Sequence, residues 1–308
     1  MIEIKVGDAR HLDTMLDPES VALSIWSPPY HVGKEYELDQ SFVAWKSLLY
    51  RTLASHSVVL KQGGFVAINI ADILCFEDDS LPRIMAENIS RRGRSDITRE
   101  MIINVQLQHP GWNRRQIAKE LACSEQTVDR RLRGNNIRGG KYALQTRVML
   151  TGPILEQAGR DLGLVLYDRR VWHKDPAWAN SRWHTMSYRS IDEFEYIYIF
   201  WKPGPTIVNK ARLTKHEWVE WGSRGVWNIR SVRANDDHVA KFPFELPRRL
   251  IQLLSDPGDL VLDPFVGSGT SALAALHEGR DFVGIDKEPL YVAMAQRAIA
   301  QVAERYVS

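Results

Sequence analysis

Cysteine is scarce in this chain: only Cys75 and Cys123 occur among its 308 residues. Two cysteines cannot build a disulfide framework or a closed four-ligand zinc site, so we predict neither a disulfide-rich secreted domain nor a bound metal. The sequence also lacks any apolar run of about 18 residues, so no membrane-spanning helix is expected. No basic leader precedes an apolar stretch at the start, and we therefore predict a cytoplasmic protein without a secretion signal.

Net charge is also small, at +2, but it is unevenly distributed. The stretch 91–138 holds 11 Lys and Arg residues against 5 Asp and Glu, so the remaining chain is slightly acidic. A basic island on an acidic body indicates a local contact with a polyanion. The charge alone is equally compatible with a solvated helical surface.

What the chain does have is an alternation of apolar strands with amphipathic helices. Apolar runs predict strands at 2–6, 21–26, 65–70, 164–172, 195–201, 260–262 and 282–285. Helical spacing of apolar residues predicts helices at 42–60, 155–162, 246–254, 271–278 and from 289 onward. Lys61-Gln-Gly-Gly64 is interpreted as a helix stop and turn. This rhythm favours a doubly wound α/β fold with a parallel sheet and crossover helices.

A glycine loop follows the strand predicted at 260–262. The segment Asp263-Pro-Phe-Val-Gly-Ser-Gly-Thr270 leads into a helix, and its glycines permit a close backbone approach to a ligand. Asp286 ends the next strand, where a carboxylate can accept both hydroxyls of a ribose. A dinucleotide is the rival ligand, but Ala272 stands where the third glycine of that fingerprint would be. No Gly-Lys-Ser/Thr follows, which excludes a nucleoside-triphosphate loop.

A second motif, Ser27-Pro-Pro-Tyr30, follows the strand predicted at 21–26. That strand would deliver the motif to the carboxyl edge of a parallel sheet, where such folds bind ligands. Ser27 offers a hydroxyl acceptor, and Pro28 and Pro29 hold the Pro28 carbonyl in place. Tyr30 offers an aromatic ring on which a flat, amine-bearing ring can stack. These groups suit methylation of an exocyclic amine, because accepting its hydrogens makes the nitrogen a better nucleophile.

Together the two motifs resemble those of amino-methylating DNA methyltransferases, and their order, catalytic before cofactor, resembles the circularly permuted beta class. The resemblance covers roughly 1–76, 142–204 and 238–308, and implies a Rossmann-like methyltransferase sheet in permuted order. It implies S-adenosyl-L-methionine as the cofactor. The cofactor contacts that it implies are Asp8, His238, Lys241, Phe242, Pro243, Asp263, Pro264, Phe265, Gly267, Ser268, Gly269, Thr270 and Asp286.

The residue at position 27 bears on which base is methylated. Many adenine-specific relatives carry Asp there, whereas Ser27 and the spelling Phe242-Pro-x-x-Leu-Pro247 look more like the N4-cytosine enzymes. We therefore predict cytosine N4 as the target, with adenine N6 as the alternative. Methylation of cytosine C5 needs a cysteine nucleophile, usually after proline. Cys75 follows Leu74 and Cys123 lies in a predicted helix turn, so we do not expect that activity.

The basic stretch resembles a helix-turn-helix. Helices are predicted at 97–108, 113–121 and 124–133, separated by His109-Pro-Gly111 and Ala122-Cys-Ser124. The residues predicted to contact DNA are Arg114, Arg115, Gln126, Thr127, Arg130, Arg131 and Arg133. A three-helix module of this kind can instead contact protein, and both interpretations stay open.

The predicted organisation has five segments. These are a catalytic half of the core at 1–76, an inserted helix-turn-helix module at 77–141, a core continuation at 142–204, a short target-recognition segment at 205–237 and a cofactor-binding half at 238–308. The predicted partner is double-stranded DNA, joined by a cognate restriction endonuclease unless the enzyme is solitary, and the protein is a monomer or homodimer. RNA is a weaker alternative, because the deep groove of duplex RNA admits no such helix. A DNA-binding regulator with a degenerate core is the alternative from another class.

Overall fold

The computed structural model describes residues 1–30, 41–76, 96–133, 147–176, 192–206, 209–232 and 243–307. The chain divides into two compact units. The first comprises Met1–Asp72, Leu150–Pro176 and Asp192–Ser308, and the second comprises Ile73–Met149 and Ala177–Ile191. Within the described ranges, no helix combines the length and apolar character needed to cross a membrane.

Each strand and helix that the apolar patterns predict is present, and three short strands at 73–76, 147–149 and 226–228 are additional. In chain order the strands and helices are β1 (Ile2–Val6), β2 (Val21–Trp26), α1 (Phe42–Val59), β3 (Leu60–Ile70), β4 (Ile73–Phe76), α2 (Arg99–Gln108), α3 (Arg114–Glu120), α4 (Glu125–Arg133), β5 (Arg147–Met149), α5 (Gly152–Asp161), β6 (Val165–His173), β7 (Phe194–Trp201), β8 (Val226–Asn228), α6 (Glu245–Leu254), β9 (Leu260–Asp263), α7 (Thr270–His277), β10 (Asp281–Asp286) and α8 (Pro289–Val307). Short helical turns at Ala9–Thr14, Lys210–Arg212, Lys215–Glu217 and Trp218–Gly222 complete the described elements.

The first unit contains an eight-stranded sheet in the order β1-β10-β9-β2-β3-β7-β6-β8. The strands β1, β10, β9, β2 and β3 are mutually parallel, so their carboxyl ends lie at one edge of the sheet. The α/β fold predicted from the sequence is therefore confirmed. The sheet is nevertheless mixed rather than wholly parallel, because β7 runs antiparallel to both β3 and β6.

The interpretation of Lys61-Gln-Gly-Gly64 as a turn is wrong, because β3 already begins at Leu60. Val21 pairs with Leu60, and the pairing resumes only at Leu23 with Phe65, so the intervening residues of β3 form an irregularity in the ladder. Gly63 has a φ of 80°, and a Cβ there would meet the Pro205 carbonyl oxygen at 2.1 Å. The glycines therefore serve a strand irregularity and a close backbone contact instead of a helix stop.

Side chains of β2 alternate between the two faces of the sheet. Leu23 and Ile25 belong to a buried apolar cluster that includes residues of α6, α7 and α8. Ser24 and Trp26 instead meet His56 of α1: the Ser24 hydroxyl lies 2.8 Å from His56 Nε2, and the rings of Trp26 and His56 stack at 5.7 Å. Helices therefore cover both faces, which is the doubly wound arrangement that the sequence predicts.

The described residues of the tryptophan-rich segment at 205–237 belong to this first unit. Trp221 and Trp227 are buried and meet edge to face, with ring centroids 5.9 Å apart. The Arg170 guanidinium lies 5.0 Å from the Trp227 ring, and that of Arg249 lies 5.3 Å from the Trp221 ring. Strand β8 extends the sheet beside β6. The described part of the segment thus supports the core, and its predicted role in target recognition stays a prediction.

The second unit contains a two-stranded antiparallel sheet, β4 with β5, and the three short helices α2, α3 and α4. The helices begin and end within two residues of their predicted bounds and enclose a core that includes Ile102, Ile117 and Val128. Asn113 caps α3 in a reciprocal capping box with Gln116. Three helices around one small core are compatible with the predicted module and do not identify its ligand.

Candidate active site

Four neighbouring parallel strands present polar residues at one edge of the sheet. Across the sheet, Asp8 follows β1, Asp286 closes β10, Asp263 closes β9 and Ser27 follows β2. Val6 lies opposite Asp286, and this register brings the ends of β1 and β10 together. The two sequence motifs, which are far apart along the chain, are therefore delivered by the adjacent strands β9 and β2.

The glycine loop between β9 and α7 depends on two left-handed residues. Gly267 has a φ of 50° and Gly269 a φ of 89°, a conformation that side chains rarely adopt. A Cβ on Gly269 would also lie 3.0 Å from the Cα and Cβ of Ala295 in α8. The Gly267 amide donates to Asp286 Oδ2 at 3.1 Å. The loop is thus held between α8 and the end of β10.

Asp263 is a buried carboxyl group, with 1% of its surface exposed. The Phe265 amide donates to its Oδ1 at 2.9 Å, and the Ser271 hydroxyl donates to its Oδ2. Burial raises the pKa of Asp263 to about 7, and the nearby charge of Asp286 acts in the same direction. The two hydrogen bonds compensate only part of the unfavourable burial of the ionised carboxylate.

Asp8 is in a contrasting state. Its carboxylate accepts from the Arg10 backbone amide and from the Arg10 guanidinium, each at 2.9 Å to Oδ1. These hydrogen bonds, with the Arg10 side chain contributing most, lower the pKa of Asp8 to about 2. Among the described residues, this edge therefore carries one carboxylate that is already paired with a cation and another, Asp263, that is buried without one.

The Ser27-Pro-Pro-Tyr30 turn is held by helix α1. The buried Trp45 donates from its indole Nε1 to the Pro29 carbonyl oxygen at 2.6 Å. In the part of the chain that the structure describes, no donor reaches the Pro28 carbonyl oxygen. The carbonyl that the sequence predicts to be a substrate acceptor is therefore left available, while its neighbour anchors the turn.

Ser27 and Tyr30 belong to one hydrogen-bond network with two residues from other strands. The Ser27 and Tyr30 hydroxyl oxygens lie 2.7 Å apart, and Ser27 Oγ lies 3.0 Å from the Asn69 carbonyl oxygen. Tyr30 donates to Glu195 Oε2 at 2.7 Å and accepts from Asn69 Nδ2 at 2.8 Å. Burial, and then the charge of Glu195, raise the pKa of Tyr30 well above its usual value, so its phenol keeps its proton.

Lys174 completes this network at the far side of Glu195. Its ammonium group donates to Glu195 Oε1 at 2.6 Å and to Asp192 Oδ2 at 3.3 Å. Burial alone would lower the pKa of Lys174, but the two carboxylates outweigh it and the pKa is raised. Lys174 thus remains cationic and balances the charge of Glu195.

An aromatic contact joins the two motifs. Trp26, which precedes Ser27, lies 5.4 Å from the ring of Phe265 in the glycine loop. Trp26 is fully buried and also stacks on His56, whose pKa burial lowers to about 4. His56 is therefore neutral at physiological pH and forms part of the packing beneath both motifs.

The other predicted cofactor contacts fall into two groups. Pro264, Ser268 and Thr270 lie in the glycine loop or at the start of α7, and Pro243 is buried just before α6. His238, Lys241 and Phe242 lie outside the described residues.

The predicted DNA contacts lie in the second unit. Arg114, Arg115 and Arg131 are exposed. The Ser124 hydroxyl caps α4 by accepting from the Thr127 amide at 3.1 Å, and the Thr127 hydroxyl lies 3.0 Å from the Ser124 hydroxyl. The side chains of Gln126, Arg130 and Arg133 lie outside what the structure describes.

Sequence reasoning missed Asn69, Glu195, Lys174 and Trp45. Asn69 is the one polar residue in the run Phe65–Ile70, and Glu195 is the one charged residue in β7. A single polar residue in an otherwise apolar strand must find a partner when it is buried, and that signal could have marked both residues. Their partners are not readable from the sequence, since the Asn69–Glu195 hydrogen bond joins residues 126 positions apart.

Comparison with known proteins finds relatives over nearly the whole chain. Residues 21–297 match the model of the N6/N4 methyltransferase family, which is described as DNA methylase. The Type II methyltransferase M.BglI of Bacillus subtilis is 55% identical over 293 residues, which are 95% of this chain and 84% of the relative.

Two solved structures share the fold. TTHA0409 of Thermus thermophilus, described as a DNA modification methylase and complexed with S-adenosyl-L-methionine, has a TM-score of 0.63 at 23% identity, covering 98% of this chain and 94% of that one. The cytosine-N4-specific PvuII DNA methyltransferase has a TM-score of 0.59 at 16% identity, covering 96% of this chain and 85% of that one. On the strength of the family match and of M.BglI, the chain belongs to the N6/N4 DNA methylase family.

Proposed function

We propose that this protein transfers a methyl group from S-adenosyl-L-methionine to the exocyclic amine of a base flipped out of duplex DNA, with cytosine N4 as the target. The observation that carries the proposal is the adjacency of the Ser27-Pro-Pro-Tyr30 turn and the acidic glycine-loop edge on neighbouring strands β2 and β9. Membership of the DNA methylase family supports the reaction.

The residues at this edge suit the proposed cofactor. S-adenosyl-L-methionine, when bound, supplies an electrophilic methyl group on a positively charged sulfur. Carboxylates at Asp263 and Asp286 favour such a cation, whereas they would repel the pyrophosphate of a dinucleotide. Asp286 would hold the ribose, and Asp263 would face the methionine end with the backbone of the glycine loop. This charge argument favours S-adenosyl-L-methionine over the rival ligand.

The catalytic turn acts on the target nitrogen through acceptors. Ser27 Oγ and the Pro28 carbonyl oxygen would accept the two amine hydrogens and concentrate the lone pair on nitrogen. As the nitrogen bonds to the methyl carbon, the carbon–sulfur bond breaks and the sulfur keeps the electron pair. The extra proton then leaves the nitrogen for solvent. No covalent intermediate with the protein is needed, so alignment supplies most of the acceleration.

The choice of base rests on Ser27 and is tested by product analysis. Plasmid DNA from a host without DNA methylation is incubated with the protein and S-adenosyl-L-methionine, and the digest is examined by nucleoside mass spectrometry. We expect N4-methylcytosine. N6-methyladenine would retain the methyltransferase but contradict the assignment from Ser27. No methylated base on several DNAs, with cofactor binding intact, would favour an RNA substrate or a regulator.

We also propose that the helical module of the second unit reads DNA sequence. Arg114, Arg115 and Arg131 are exposed on α3 and α4, and the helices that carry them are short and basic. Arginine suits both phosphate and guanine contacts. The name of the Bacillus subtilis relative supports placing the protein in a restriction-modification system beside a cognate endonuclease.

Deletion of residues 95–138 is expected to abolish sequence-selective DNA binding while cofactor affinity stays within about twofold. Competition binding against specific and random duplexes measures the first quantity, and calorimetric titration with S-adenosyl-L-methionine measures the second.

For a point variant, Arg131→Ala should weaken specific binding about tenfold, as expected for loss of one good base contact. Arg99→Ala, which removes the same charge from α2, is the matched control. Unchanged selectivity after the deletion would exclude this role for the module.

A further inference from the structure

We infer that Glu195 is a positioning residue for the methylation reaction: it fixes the direction of the hydrogen bonds around Ser27, so that the Ser27 hydroxyl presents its lone pairs to the target amine. The inference rests on the proposed function and extends it to a residue on β7 that neither sequence motif contains. Glu195 acts through Tyr30 and need not touch the substrate.

Glu195 is an acceptor with a fixed orientation. Only 7% of its surface is exposed, and both carboxylate oxygens are engaged. Lys174 Nζ donates to Oε1 at 2.6 Å, while Tyr30 and Asn69 Nδ2 donate to Oε2 at 2.7 and 2.6 Å. All three contacts therefore bring a donor to the carboxylate, one of them cationic, so Glu195 serves as the acceptor in each hydrogen bond.

Counting protons then fixes the role of Ser27. Tyr30 has one hydroxyl proton, and it is donated to Glu195 Oε2 at 2.7 Å. The 2.7 Å contact between the Ser27 and Tyr30 oxygens therefore needs the proton of Ser27, unless that proton goes to the Asn69 carbonyl oxygen at 3.0 Å. In either case the Ser27 hydroxyl donates its proton to a group of the protein. Among the described residues, no donor then occupies its lone pairs, which are left for the amine.

The same count sets which side chains are tolerated at position 27. A carboxylate there would face the Tyr30 oxygen without a proton between them, because the Tyr30 proton already points to Glu195. It would also add a second negative charge beside a buried one. Glu195 thus favours a hydroxyl at position 27 and disfavours Asp.

The kinetic test is a double-mutant cycle between positions 195 and 30. In Glu195→Gln, the amide oxygen stays with Lys174 and the amide nitrogen faces Tyr30, which turns its proton toward Ser27. We expect the single-turnover methylation rate to fall about tenfold or more, with the cofactor dissociation constant within about twofold. In the Tyr30→Phe background no hydroxyl remains to be reversed, so Glu195→Gln should cost less than about threefold.

Lys174→Met is the matched control, since it breaks the same ion pair but leaves the carboxylate. Its loss of rate should be clearly smaller than that of Glu195→Gln. Equal losses of rate in Lys174→Met and Glu195→Gln, or equal effects of Glu195→Gln with and without the Tyr30 hydroxyl, would show a purely structural role and overturn the inference.

A stability test does not depend on activity. Ser27→Asp should lower the melting temperature at pH 8, and adding Glu195→Gln to it should restore part of the loss, because one carboxylate then replaces the other. If the double variant is no more stable than Ser27→Asp, the inference is wrong even if Glu195→Gln alone cannot be purified. If this restoration occurs but the wild-type protein methylates no DNA, the proposed function is contradicted and the hydrogen-bond assignment is supported.

Discussion

Replacing Asp263 with Asn is expected to stabilise the cofactor-free protein at pH 8 and to weaken S-adenosyl-L-methionine binding by about 100-fold or more. A factor of about 100 corresponds to about 3 kcal/mol, which is typical of losing a hydrogen bond to a buried charged group. The stabilisation arises because burial raises the pKa of Asp263 to about 7 in the folded protein. At pH 8 the wild-type protein must keep a buried charge that the amide does not carry.

The pKa shift of Asp263 also determines how the free energy of unfolding changes with pH. A carboxyl group whose pKa is higher in the folded state than in the unfolded state binds its proton more tightly when folded. Its contribution to stability is therefore fully present below about pH 4 and is lost as the pH rises through about 7. The difference from the ordinary value of 3.8 corresponds to about 4 kcal/mol. The advantage of Asp263→Asn should accordingly be present at pH 8 and disappear at pH 5.

Thermal unfolding at pH 5 and pH 8 measures this difference, and we expect a rise of roughly 2–5 °C at pH 8. Asp256→Asn is the matched control. Hydrogen bonds from Arg212 lower the pKa of Asp256 to about 2, so the same chemical change there should lower the melting temperature at pH 8. A variant at position 263 that is less stable at pH 8 than the wild type would contradict the view that Asp263 is a functional charge kept at a cost in stability.

Replacing Ser27 with Ala should lower the methylation rate by about 100- to 1,000-fold, which is the range found when one preorganised hydrogen-bonding group is lost from an active site. The cofactor dissociation constant should change by less than about twofold, because the proposed cofactor contacts lie on β9, β10 and the glycine loop. Single-turnover kinetics and calorimetric titration separate the two effects.

Ser57→Ala is the control for this substitution. The Ser57 hydroxyl donates to the Ala54 carbonyl oxygen, so its hydrogen bond stays within α1 and its loss should leave the rate unchanged. If Ser27→Ala methylated DNA at the wild-type rate, acceptance of the amine hydrogens would have to come from the Pro28 carbonyl alone. The account of Ser27 as an acceptor, and with it the role of Glu195, would then fail.

The fold was largely predictable because its strands are buried and apolar. The strands β1 and β2 begin and end where the apolar runs do, and helix bounds differ by a few residues at most. The misses were those that depend on pairing. Residues 61–64 have the composition of a turn, yet they join β3 because Val21 pairs with Leu60. The reversed direction of β7 likewise follows from its pairing with β6 and has no signature in its own residues.

The site was predictable in its motifs but not in its supporting residues. Gly267, Gly269 and Asp286 could be recognised because a strand, a glycine turn and an acid have a fixed order along the chain. Asn69 and Glu195 could not, because the contacts that give them a role cross from β3 to β7 and back to Tyr30. Local spacing reveals backbone geometry, whereas a side-chain network is defined only once distant strands are neighbours.

The adjacency of β2 and β9 also constrains how the protein is made. Leu23 pairs with Val261, so about 240 residues separate the two partners in synthesis. At about 5–20 residues per second, β9 is synthesised roughly 10 to 50 seconds after β2. During that interval the β2 edge that β9 will cover has no native partner, and the sheet can close only late. Nascent chains should therefore depend on chaperones that shield strand edges, and slower translation would lengthen the period in which they can aggregate.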